Sequence, residues 1–255
     1  MIRLVRAEVI KLTGRKIWFL MTAILVVLMA GIAVVLTVLP QSSPDQFQGF
    51  PGLAKPDAYT FGAAQAIGQT WFPLVFAAVL LAGETSTSIW AASLTKESRR
   101  WLHLLAKLVV YTVATTAATL VGVAAWSLVV SFLASGSGAP TLATWLSVVA
   151  KTGMVEFTWV GLSLGVVAIF RNMGPAIGVA LGFSFIDGIL ALWAPWQQVS
   201  LGLASSRLIQ DLSSFQPGFG GTPSSMGFTQ ALLVVIGWAT LGLLLAVVGI
   251  EVRDP

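Results

Sequence analysis

The chain has 255 residues, of which 56% are hydrophobic and 9% are charged, and its mean hydropathy is +0.89. A soluble domain usually carries about 25% charged residues, so this composition excludes a soluble globule and predicts an all-α polytopic membrane protein. Bases outnumber acids by fourteen to ten, but they border apolar segments, which predicts membrane orientation and no nucleic-acid partner. The chain has no cysteine and one histidine, so we expect no thiolate or multi-histidine metal site.

The first predicted element is an amphipathic helix over residues 1–16, in which apolar residues recur at helical spacing between bases. We expect this helix to lie along a membrane surface and to contact lipids. The apolar run that follows, 17–39, is longer than the core of about 7–15 residues in a signal peptide. We predict that it is the first transmembrane span. The apolar positions of the amphipathic helix are Ile2, Val5, Val9 and Leu12.

Five further apolar segments are long enough to cross a bilayer, which takes about 20 residues. The polar segment 84–103 separates the second span from the third, and the segment 196–229 separates the fifth span from the sixth. The latter is rich in Gly, Pro and Ser, but three of its leucines share one helical face, which predicts a short helix. These leucines are Leu201, Leu208 and Leu212, and the five spans are 63–83, 104–134, 145–170, 175–195 and 230–250.

The distribution of basic residues orients the spans, because Lys and Arg accumulate in cytoplasmic loops. Six spans place both termini on one side, where eleven bases lie, against two on the other side. We therefore predict a single transmembrane domain over 1–255 in a bacterial plasma membrane, with both termini cytoplasmic. The eleven are Arg3, Arg6, Lys11, Arg15, Lys16, Lys96, Arg99, Arg100, Lys107, Arg171 and Arg253, and the two are Lys55 and Arg207.

The segment 84–103 and the start of the third span resemble a loop of the ABC-2 type permeases, the membrane subunits of a class of ATP-binding-cassette transporters. Many members carry a Glu at the inner end of span two, then a Leu-rich turn, one or two Arg, and a Leu-rich run that ends at Lys. Two positions differ, because Ser88-Ile89 replaces a Gly-Thr pair and Ser98 stands where Pro is common. The matching residues are Glu84, Leu94, Arg99, Arg100, Leu104, Leu105 and Lys107.

This resemblance implies a type V exporter-like fold, with an amphipathic interfacial helix and six transmembrane helices. It also implies that 84–103 is a cytoplasmic coupling segment whose stretch 88–100 contacts a separate ATPase subunit. The permease would pair with an identical or similar chain and export an amphiphilic small molecule, a peptide or a lipid. The residues to which the coupling role is assigned are Glu84, Ser88, Ile89, Leu94, Lys96, Arg99, Arg100 and Lys107.

The chain has no GxxxxGK[ST] sequence and so lacks the loop that holds ATP phosphates. We therefore expect no enzymatic activity and no cofactor on this chain, with ATP and Mg²⁺ bound by the partner ATPase. Two interpretations of Lys96, Arg99 and Arg100 stay open: docking to that ATPase, or orientation and anionic-lipid contacts alone. An ATP-independent carrier or an assembly scaffold is the alternative function.

Several charges are predicted to need partners in or near the membrane. Glu84 is expected to pair with an interfacial base, with a solvated carboxylate as the alternative. Lys151, Glu156 and Asp187 lie within spans, where a charge costs about 2.5–3.5 kcal/mol at mid-bilayer. Lys151 and Asp187 differ by only about 3 Å in depth at about 1.5 Å per residue, so we predict that they pair. Glu156 is predicted to lie slightly deeper, where protonation is one way to remove its charge. The pair could be structural, line a substrate path or relay protons. The candidate partners of Glu84 are Arg15, Arg100 and Lys107.

Residues 161–165 read GLSLG, which matches the GxSxG motif of serine hydrolases. That motif needs a strand–turn–helix setting and a histidine, whereas this one lies inside a predicted apolar helix, far in depth from His103. We predict instead that Gly161 and Gly165 allow close helix packing, as do the glycines at the same spacing at 174, 178 and 182. His103 is predicted to be an interfacial side chain, and the tryptophans near the span ends to be interfacial anchors.

Overall fold

The computed structural model describes residues 2–42, 55, 57–69, 71–85, 100–170, 172–212 and 226–251. The regular secondary structure of these residues is helical. The prediction of an all-α protein is confirmed for these residues. In chain order, the helices there are α1 (Ile2–Thr13), α2 (Lys16–Ser42), α3 (Asp57–Gly68), α4 (Trp71–Thr85), α5 (Arg100–Leu133), α6 (Leu142–Phe170), α7 (Met173–Leu190), α8 (Ala194–Gln197), α9 (Leu201–Ile209) and α10 (Phe228–Glu251). A 3₁₀ turn, Gln210–Leu212, follows α9.

Four of the described helices, α2, α5, α6 and α10, are long and apolar enough to cross a membrane. The pair α3–α4 is a fifth candidate if its two helices, which meet at a bend of 44°, form one span. α7 is apolar but shorter. The expectation of a membrane-embedded helical protein is confirmed at this level.

The bend between α3 and α4 lies inside the predicted second span, 63–83. Pro73 occupies the first turn of α4, where its missing N–H costs no helical hydrogen bond. Gln69 stabilises the bend, because its carbonyl accepts a hydrogen bond from the Phe72 amide at 2.9 Å and its side-chain oxygen accepts one from the Trp71 indole at 2.7 Å. The chain therefore changes direction within this apolar segment.

The helix α6 is at the centre of the bundle, where it packs against α4, α5, α7 and most extensively against α10. Close approach to α10 requires glycine: a Cβ at Gly242 would lie 2.5 Å from the Gly161 carbonyl oxygen, and a Cβ at Gly165 would lie 2.6 Å from the Gly242 oxygen. The packing role predicted for Gly161 and Gly165 is confirmed. The Ser163 hydroxyl donates to the Leu74 carbonyl at 2.9 Å and links α6 to α4.

The glycines of α7 behave differently from those of α6. A Cβ at Gly174, Gly178 or Gly182 would meet none of the described atoms within 4 Å. The close packing predicted for these three glycines is therefore not formed within the described part of this chain, and they lie on an open face of α7.

A glycine–tryptophan contact joins α3 to α5. The buried Trp126 indole donates to the Ala58 carbonyl at 2.8 Å, and its ring lies so close to Gly62 that a Cβ there would be 2.1 Å away. Near the end of the bundle, α9 turns one face inward against α3 and α10. The predicted apolar face is confirmed, since Leu201 and Leu208 of α9 and Leu212 of the following 3₁₀ turn are all buried.

Candidate functional site

The predicted coupling segment, 84–103, is only partly described by the structure. Glu84 lies near the end of α4 and Arg100 begins α5, but their side chains are outside the described part of the chain. Lys107, at the end of the family-like stretch, is fully described. The remaining coupling residues, Ser88, Ile89, Leu94, Lys96 and Arg99, lie outside the described residues.

Lys107 forms a buried ion pair between α5 and the amphipathic helix α1. Its Nζ lies 2.9 Å from Glu8 Oε2, and Lys11 Nζ lies 2.7 Å from the other carboxylate oxygen. The side chains of Lys107 and Glu8 are only 2% and 4% exposed. Lys107 was a candidate partner for Glu84, whereas the structure pairs it with a carboxylate that the sequence analysis did not select.

The charge state of Glu8 follows from these two cations. Burial on its own raises the pKa of the Glu8 carboxyl, but the charge of Lys107 and the hydrogen bonds from both lysines outweigh it and hold the pKa below its ordinary value of 4.5. Glu8 is therefore ionised at neutral pH. A buried ion pair gains little relative to two apolar residues, but removal of one partner leaves an uncompensated charge and costs about 3–5 kcal/mol.

The burial pattern of α1 shows why Glu8 was missed. The predicted apolar face included Ile2 and Val9, but these side chains are exposed. Val5 and Leu12 of the predicted face do pack on the bundle, and Glu8 lies on the same face, so that the three are at i, i+3 and i+7. This spacing was visible in the sequence, and an acid on the inward face of a basic helix indicates a buried cation in the partner helix.

A second contact ties the corner between α1 and α2 to α4. Arg15, in the short link between these helices, donates from its guanidinium to the Leu80 carbonyl near the end of α4. We refer to Glu8–Lys107 and Arg15–Leu80 as the anchor contacts. Together they attach the start of the chain to α4 and α5, the helices that precede and follow residues 86–99.

The predicted ion pair between Lys151 and Asp187 is not formed among the described residues. Asp187 Oδ1 accepts from the Trp196 indole at 2.9 Å, while Oδ2 accepts from the Ser200 hydroxyl at 3.0 Å and the Gly202 amide at 2.7 Å. The carboxylate thus lies at the N-terminus of α9, where amide donors and the helix dipole favour a negative charge. Its role is to fix the connection between α7 and α9.

Glu156 is the buried carboxyl of the bundle centre, with 2% of its surface exposed. Its Oε1 lies 2.6 Å from the Thr119 hydroxyl of α5. Its Oε2 is buried without a hydrogen-bond partner among the described residues, as are the hydroxyls of Thr112 and Thr116 on the same stretch of α5. The contact between α5 and α6 therefore contains polar atoms that these residues do not satisfy.

A groove of about 510 Å³ runs between α5, α6 and α10. Its walls are apolar apart from three threonines, of which Thr158 and Thr240 donate to carbonyls and Thr112 has a buried, unpartnered hydroxyl. No charged side chain lines it among the described residues. A space of this size and character suits part of an amphiphile.

These features define the class of the protein: a membrane-embedded bundle of helices in which four of the described charged residues, Glu8, Lys107, Glu156 and Asp187, are buried at contacts between helices. Within the described part of the chain, no group of three or more His, Asp or Glu side chains could hold a metal ion. No model of a known family matches the chain, and no curated protein matches its sequence.

Proposed function

We propose that this protein is the membrane-spanning permease subunit of an ABC-2 type transporter in a bacterial plasma membrane, with both termini cytoplasmic. It exports an amphiphilic small molecule, a peptide or a lipid, using ATP hydrolysed by a separate subunit that binds ATP and Mg²⁺. A second permease, identical or similar, completes the pathway. The resemblance of the segment 84–107 to the permease loop supports this proposal, as does the arrangement of the helices.

The proposed count of six spans is α2, the pair α3–α4, α5, α6, α7 and α10. The shortest of these by length is α7, with 18 residues. At about 1.5 Å per residue such a helix is about 27 Å long, close to the hydrocarbon thickness of about 30 Å. The exposed apolar side chains Phe185, Ile186 and Ile189 suit contact with lipid or with a second permease.

The observation that carries the proposal is the pair of anchor contacts around residues 86–99. An ATPase that moves this segment pushes on the end of α4 and the start of α5. Because Arg15 holds α4 and Glu8 holds α5, the amphipathic helix α1 moves with both. The three helices thus form one unit through which an external force reaches the bundle.

The test is to purify two variants, each with two charge reversals, from the native bacterium and to measure how much ATPase copurifies with each. Arg99→Glu with Arg100→Glu changes the predicted docking surface, and Arg3→Glu with Arg6→Glu makes the same charge change on exposed positions of α1. We expect the first variant to retain less than about a tenth of the ATPase, a loss of about 1.4 kcal/mol in affinity. The second variant should retain it.

Two results would contradict the docking role: equal retention of the ATPase by both variants, or equal loss. If no ATPase copurifies even with the wild-type chain, the permease proposal fails. The ATP-independent carrier or assembly scaffold then becomes the better account.

A further inference from the structure

The position of Glu156 is unusual for an acidic residue in a protein of this class. It is the middle residue of α6, which has 29 residues. Each end of the helix is therefore about 21 Å away along the axis at about 1.5 Å per residue. Intramembrane carboxyls of this kind are rare and usually have a functional partner.

No cation neutralises Glu156 among the described residues, where the ion pairs involving acids are those of Glu8. The titratable groups on the helices around it are engaged elsewhere or lie toward helix ends. Lys107 pairs with Glu8, and Asp187 is held at the N-terminus of α9. Lys151, on α6 itself, is five residues away, which is about 7.5 Å along the axis and well over a quarter turn around it. The others are Glu84 on α4, Arg100, His103 and Tyr111 on α5, Asp57 and Tyr59 on α3, Arg207 on α9, and Glu251 on α10.

The hydrogen bonds of Glu156 distinguish its two protonation states. An ionised carboxylate would carry negative charge on Oε2, which has no hydrogen-bond partner among the described residues, because the neighbouring Thr115 hydroxyl donates to the Tyr111 and Thr112 carbonyls. The Thr119 hydroxyl, 2.6 Å from Oε1, donates to an ionised carboxylate, whereas a neutral acid can carry its proton on Oε1 and donate it to the same hydroxyl, which can also accept. Oε2 is then an ordinary carbonyl oxygen, for which a missing partner is far less costly.

We propose that Glu156 and Thr119 form a proton-binding site at the contact between α5 and α6. The ligand is a single proton, held on the carboxyl while the two helices are packed together. Thr119 orients the acid and accepts its hydrogen bond. The proposal does not depend on the transport partner, because it concerns the chain alone.

The chain supplies a matched control for this site. Glu8 is buried to nearly the same extent, but two lysines contact its oxygens, so that carboxyl is ionised. The two buried carboxyls should therefore be in opposite protonation states in one sample at neutral pH.

The test is infrared spectroscopy of the purified full chain in lipid nanodiscs at neutral pH. The wild-type spectrum minus that of Glu156→Gln should contain the carbonyl-stretch band of one protonated carboxyl. The corresponding difference for Glu8→Gln should contain only carboxylate bands. The amide introduced by E156Q has the shape of the neutral acid and can donate to Thr119, so this variant should fold. Loss of carboxylate bands in E156Q, with the protonated band unchanged, would overturn the proposal.

A second measurement needs no variant and decides the question if E156Q cannot be purified. Hydrophobic carbodiimides react with protonated carboxyls: the acid proton passes to a carbodiimide nitrogen, the carboxyl oxygen bonds to the central carbon, and rearrangement leaves a stable N-acylurea. We expect this adduct at Glu156, in decreasing yield as the pH is raised, and none at Glu8. Absence of an adduct at Glu156 at every pH would count against the proton-binding site.

Discussion

At the residue scale, the best-defined feature of the described structure is the buried pairing of Glu8 with Lys107. Both side chains are almost fully excluded from solvent, and Lys11 provides a second cation at the edge of the site. The pair specifies where α1 docks, because any shift of one helical turn would leave both charges buried and unpaired. The ion pair therefore constrains the position of α1 more strongly than it raises the net stability of the protein.

Replacement of the two lysines should therefore have unequal effects. Lys107→Ala removes the buried partner and is expected to destabilise the folded protein by about 3 kcal/mol. Lys11 is 31% exposed, so Lys11→Ala should cost no more than about 1 kcal/mol. Thermal unfolding of both variants in the same detergent measures the difference, and equal losses would show that the pair does not hold α1 in place.

Stability should also depend on pH through Glu8. Its pKa in the folded protein is below the ordinary value of 4.5, so its contribution is fully present above that value and is lost as pH falls through the folded pKa. We expect the unfolding temperature of the wild type to fall in that acidic range. Subtraction of the Glu8→Gln curve isolates this term, and a difference that does not change below pH 4.5 would contradict the assignment.

At the element scale, α6 and α10 make a contact in which backbone lies directly against backbone. Gly242→Ala would place a methyl group against the Gly161 backbone, which cannot move aside as a side chain can. We expect a loss of about 1–3 kcal/mol from overpacking. Gly31→Ala in α2 is the matched control, because a Cβ there meets none of the described atoms within 4 Å. A loss as large in Gly31→Ala as in Gly242→Ala would argue against the close packing of α6 on α10.

The sequence predicted which segments are helical and apolar, because length and composition decide that, as in α2, α5, α6 and α10. It did not predict lateral partners. Lys151 and Asp187 matched in depth, but depth says nothing of the direction around the helix axis, and Asp187 found amide and hydroxyl donors at α9. Likewise, Gly161 and Gly178 have the same four-residue spacing to another glycine, yet of these two only Gly161 packs against a helix within the described part of the chain.

At the scale of the whole molecule, the anchor contacts bring the start of the chain to the two helices that flank residues 86–99. The first is an ion pair that links distant parts of the chain, and the second is a hydrogen bond to a backbone carbonyl. Neither could be derived from the segment 84–103 alone. Their arrangement explains how a force on that segment would spread to α1, α4 and α5 at once.

The most direct test of the coupling role is site-specific photocrosslinking in membranes of the native bacterium. A photoreactive residue at position 89 should crosslink to a protein whose peptides contain the phosphate-binding GxxxxGK[ST] loop. The same probe at position 203, in α9 of the proposed outer segment, should give no such adduct. Equal adducts at both positions, or no ATPase adduct at position 89, would contradict the account.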